Sequence, residues 1–111
     1  MIELIILNYL LDKLDVPVYL EKPSNPSDKF VVIDKTGGSK TNHLLSSSIA
    51  FQSYGKTKYD AAMLNEIVKE QVESLIVLNE ISGVKLNSDY PFTDVDSRQY
   101  RYQALFDINH Y

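Results

Sequence analysis

Gly37-Gly38-Ser39-Lys40-Thr41 has the composition of a loop that cradles phosphate. Such a loop wraps backbone amides around the anion. It requires a glycine five residues before a Gly-Lys pair and a helix opening at the hydroxyl residue. Here no glycine adjoins Lys40, Ile33 stands five residues before Gly38, and a strand pattern follows. The spacing predicts a flexible polar loop over residues 35–42 rather than a nucleotide site. His43 and His110 are the only histidines. A zinc site takes three or four ligands with supporting partners, and no HxH or HExxH spacing supplies them. Asp89, Asp94 and Asp96 lack the alternating oxygens, central glycine and distal glutamate of a calcium loop, and read as turn formers. The run Ser46-Ser47-Ser48 lies in a strand pattern, and a serine nucleophile needs a histidine base and an oxyanion hole that adjoin none of them in sequence. No catalytic residue, cofactor or metal ligand is therefore assigned, and the chain is not expected to be an enzyme. A metal-dependent hydrolase using His43 or His110 is the weakest alternative.

The aromatic residues say more. Tyr9, Tyr59, Tyr100 and Tyr102 fall on faces expected to be buried. Tyr90 and Phe92 fall in the polar stretch 87–96, where no core claims them, and exposed loop aromatics commonly anchor interfaces. Together with Gly37, Gly38, Lys40 and Asp94 they make up the candidate interface residues.

The elements that must position these residues follow from periodicity. Apolar residues run around much of the girth of a helix over 2–14, which Val16-Pro17 ends because a residue before proline avoids the α region. Val16, Val18 and Leu20 suggest a short edge strand. The turn-rich stretch 23–28 precedes a strand over 30–36, and a long strand over 43–54 follows the glycine loop. In that long strand Leu45, Ser47, Ile49, Phe51 and Ser53 share one face. Gly55 breaks the strand, Thr57 and Asp60 resemble a capping box, and a helix of about 30 Å is expected over 58–79 with Ala61, Leu64, Val68, Val72, Leu75 and Ile76 as its stripe. A hairpin closes the chain, with a short strand over 84–86 and a long one in which Tyr100, Tyr102, Ala104, Phe106 and Ile108 alternate with polar neighbours. The expected fold is α+β: a two-layer sandwich, mostly antiparallel, with two helices packed on one face, in the order α-β-β-β-α-β-β. The expected core is Ile6, Leu10, Val18, Val32, Ile49, Phe51, Leu64, Val68, Val72, Leu75, Val84, Leu86, Tyr102, Ala104 and Phe106.

Bulk properties bound the function. A chain of 111 residues is expected to be a single domain able to bury a core without staples. It has no cysteine, which excludes disulfides, zinc-thiolate sites and thiol nucleophiles. The net charge of −4 argues against nucleic-acid recognition. The apolar opening is too short to span a bilayer and lacks the basic start of a signal peptide.

Several stretches carry a family likeness. These are Phe30-Val31-Val32-Ile33-Asp34-Lys35-Thr36-Gly37-Gly38, Ala50-Phe51-Gln52-Ser53-Tyr54-Gly55, Tyr59-Asp60-Ala61-Ala62-Met63-Leu64-Asn65, Lys85-Leu86-Asn87-Ser88-Asp89-Tyr90-Pro91-Phe92-Thr93-Asp94 and Tyr100-Arg101-Tyr102-Gln103-Ala104. From about Pro17 onward the chain resembles the small tail-terminator or tail-completion proteins of long-tailed phages and prophages. The resemblance implies a structural role at the head-to-tail junction of the virion, in a protein made in the host cytoplasm. It implies self-association into a ring, typically a hexamer, that caps the tail-tube protein and meets the head connector. It does not separate terminator from adaptor or stopper, and it carries over no catalytic residue. A small regulatory or immunity-type binding module is the alternative from another class.

Overall fold

Ile2, Ile6 and Leu10 recur every fourth residue and are buried together, so helix α1 (Ile2–Lys13) uses only one stripe of its apolar girth. Leu4 and Leu11 remain exposed. Leu14 turns extended, its N–H still bonded to the Leu10 carbonyl, and the chain enters strand β1 (Val18–Tyr19). The computed structural model describes residues 1–41, 44–93 and 99–111. His43 and Asp94 lie outside the described residues.

Strands β2 (Phe30–Thr41), β3 (Leu44–Gly55), β4 (Ile81–Pro91) and β5 (Tyr100–His110) join β1 in a sheet of order β1-β2-β3-β5-β4. The sheet is mixed: β1 runs parallel to β2, and the other three pairings are antiparallel. Helix α2 (Lys58–Glu73) lies between β3 and β4 in sequence and continues into a 3-10 turn, Ser74–Val77. The molecule is thus an α+β fold of two helices and a five-stranded mixed sheet.

Residues 37–41, expected in a loop, belong to β2. The opposite strand β3 is twelve residues long, and its backbone groups need partners along their whole length. β2 supplies them, slipping register between Lys35 and Gly37 to do so. Residues 87–91, also expected in a loop, are the second half of β4 and pair with β5. Pro91 is tolerated there because β4 is an edge strand. α2 is shorter than expected. The Ser74 hydroxyl donates to the Gln71 carbonyl at 2.6 Å, a back-bond that competes with the α-helical pattern where the helix tightens.

Most of the core is one cluster in which Ile6 and Leu10 of α1 and Leu64, Val68 and Val72 of α2 meet Ile33, Ile49, Phe51, Ala104, Phe106 and Ile108 of the sheet. The opposite sheet face has a second cluster, where Phe30 stacks on Tyr54 with ring centroids 4.3 Å apart and Tyr19 meets Phe30 edge-on. Period two in β2 and β3 therefore marks two buried faces, not one apolar and one wet. Of the expected core, Leu86 is exposed and Val84 and Tyr102 are half-buried, because they sit on the edge strand or at the sheet's end. Tyr59 and Tyr100 are exposed rather than buried, and so is Ile76 of the expected helix stripe.

Candidate functional site

The paired strands place Gly38 opposite Ser47 and Lys40 opposite Leu45, while β5 brings Ile108 beside Ser47 and His110 beside Leu45. A cleft of about 440 Å³ opens at this end of the sheet, lined by Lys35, Gly38, Ser39, Lys40, Leu45, Ser46, Ser47 and His110. Its floor is polar. Ser47 is 2% exposed and His110 7% exposed, and the serine hydroxyl lies 2.9 Å from the imidazole Nε2. Gly38 is small for a reason. A Cβ there would come within 3.3 Å of the Ser46 carbonyl oxygen and 3.5 Å of the Lys35 side chain, which lies across it.

Ser47 and His110 were individually visible in the sequence but not as a pair. Ser47 shares its face with Ile49 and Phe51, and the alternation that buries Phe106 and Ile108 reaches His110 two residues later. Their contact spans 63 positions of sequence and depends on β5 pairing with β3. A serine beside a histidine suggests acyl transfer, but that chemistry also needs free amide donors for an oxyanion. β3 is paired on both sides around Ser47, with Gly38 and with Ile108, so its backbone amides are taken up by the ladders. Among the described residues no three His, Asp or Glu side chains gather in a position to hold a metal ion. His110 is bonded to Ser47 and lines the same cleft as Lys35 and Lys40.

Tyr90 and Phe92 lie elsewhere. Nine positions of β5 separate Arg101, near them, from His110 in the cleft, roughly 30 Å at about 3.3 Å per residue. The candidate interface residues thus divide into Gly37, Gly38 and Lys40 at one end of the sheet and Tyr90 and Phe92 at the other. Tyr90 is not a free loop anchor. Its hydroxyl accepts from Gln103 at 2.6 Å, and Gln103 in turn accepts from Gln52 at 3.0 Å, a relay across three strands. Phe92 lies under the Arg101 guanidinium, 4.2 Å from its ring centroid. Arg101 also donates to the Phe92 carbonyl and to the Tyr54 hydroxyl, at 2.7 and 2.8 Å.

Asp89 takes a role that no turn former has. Within β4, it accepts from Asn65 at 2.7 Å and from Lys69, fastening the edge strand to α2. The hydrogen bond to Asp89 is the main cause of a raised Lys69 pKa; burial opposes it, and Glu66 adds to it.

A third surface was not anticipated. Tyr59, Met63 and Ile67 recur every fourth residue along α2 and are 71%, 46% and 47% exposed. This apolar row stands on the side of the helix away from Leu64, Val68 and Val72. No helix of the described residues is long and apolar enough to cross a membrane. No protein-family model matches the chain, and no curated protein matches it.

Proposed function

We propose that this protein is a structural subunit of the phage head-to-tail junction, a tail terminator that closes into a ring, typically a hexamer, on the last tail-tube subunits and meets the head connector. The observation that carries the assembly part of this reading is the exposed row Tyr59, Met63 and Ile67, with Leu4 and Leu11 exposed on α1. A surface helix normally turns charged and polar residues outward, and apolar side chains aligned on its outer face mark a surface that a partner covers. A ring needs two different patches on each subunit that meet head to tail. The helix layer supplies one, and the open edges of β2 and β4 offer sites for the other. The phage part of the reading rests on the sequence resemblance.

Native mass spectrometry across a wide concentration range, followed by co-sedimentation with tail tubes, tests it. A closed oligomer, or a monomer that binds the end of the tube, is the expected result. A strict monomer with no affinity for the tube would replace this reading with the regulatory binding module.

A further inference from the structure

We infer that the cleft between Lys35, Lys40 and the Ser47–His110 pair receives the carboxylates of an acidic protein segment. Charge is the first argument. The chain has fifteen acidic residues against eleven basic ones, so its cations have carboxylates to spare. Lys13, Lys29, Lys56 and Lys69 each approach one. Lys35 and Lys40, like Lys58 and Lys85, make no ion pair within 4.0 Å among the described residues; both flank the same opening, and Lys35 also borders a second hollow lined by Glu3 and Asp34. Two unpaired ammonium groups beside one cleft produce a local positive field on an otherwise acidic molecule, and such a field selects an anionic partner.

The floor of the cleft is the second argument. Burying a serine and a histidine at the end of a sheet costs desolvation unless their polar atoms are used. One hydrogen bond is made between them, at 2.9 Å. The backbone at Ser39 and Ser46 also lines the opening. A carboxylate accepts from ammonium, hydroxyl and imidazole N–H donors alike, and all three are present here.

Size and access decide what carries the carboxylate. About 440 Å³ far exceeds the volume of one inorganic oxyanion and suits a short run of side chains. β1 covers β2 only at Val31 and Val32, so the β2 edge beside the cleft is open to an approaching chain. This inference is independent of ring formation.

The test is titration of the ¹⁵N-labelled full chain, followed by NMR, with an acidic pentapeptide (acetyl-GDEDG-amide), its amide counterpart (acetyl-GNQNG-amide) and inorganic phosphate as separate probes. The acidic peptide should shift Gly38, Ser46, Ser47 and His110 saturably, and the amide peptide should not. K35A/K40A, at two strand positions on the surface, should weaken binding by at least about tenfold without disturbing the rest of the spectrum. S47A should weaken it less. Absence of a saturable shift, equal binding by the amide peptide, or undiminished binding by K35A/K40A would overturn the inference. Saturation by phosphate with the acidic peptide silent would also overturn it and leave a small-ion site.

Discussion

Arg101 shows how much one side chain can connect. It lies over the rings of Phe92 and Tyr54 and donates to an atom of each residue, so it joins the edge of the sheet to the buried aromatic stack. R101A should cost about 1–2 kcal/mol in urea unfolding, and R101K should recover only part, since an ammonium has no planar fork to serve both acceptors. Lys69 offers a test with a defined sign. Its pKa is raised in the folded state, so its contribution is complete below the ordinary lysine value of 10.5 and disappears as pH rises through the folded value. D89N should therefore destabilise the protein by about 1–2 kcal/mol at pH 7, and the difference from the parent should shrink as pH rises beyond the ordinary lysine value of 10.5. A difference that stays constant to high pH would assign the effect to the Asn65 hydrogen bond instead.

At the scale of elements, the approach of β3 to the first turn of α2 is the tightest junction. A Cβ on Gly55 would lie 2.6 Å from the Ala61 nitrogen and 2.9 Å from the Asp60 Cβ. These atoms belong to a helix start held by the Thr57 side chain, which accepts from the Asp60 N–H at 3.1 Å, so they cannot move aside cheaply. G55A should destabilise by about 1–3 kcal/mol in thermal or urea unfolding, although the residue ends a strand and no positive φ demands glycine. The turn chemistry of Thr57 and Asp60 was legible because a cap is a local contact. The length of β2 was not, because Gly37 and Gly38 look like loop residues until a twelve-residue partner strand lies beside them.

For the whole molecule, the question is whether surface rather than chemistry carries the function. The fold is elongated, 43 Å in its longest extent, with the polar cleft and the Tyr90–Phe92 pair at opposite ends of the sheet and an apolar row on α2. I67E, at the C-terminal end of the row, should change monomer stability by less than about 0.5 kcal/mol yet abolish self-association in native mass spectrometry. An oligomer that survives I67E would move the interface to the strand edges.

Periodicity and composition alone determined the α+β class, the two helices, the alternating faces of β3 and β5 and the absence of thiol chemistry, because each depends on residues close in sequence or on counts. Ile6, Leu10, Ile49, Phe51, Val68 and Phe106 were legible as core for that reason. Only tertiary structure decided that Ser47 meets His110, that Asp89 fastens β4 to α2, that the sheet's second face is buried at Phe30 and Tyr54, and that Tyr59 faces outward. Alternation states that a residue has a face. Which partner covers that face depends on strand order and register, and these are set by pairings between segments far apart in the chain.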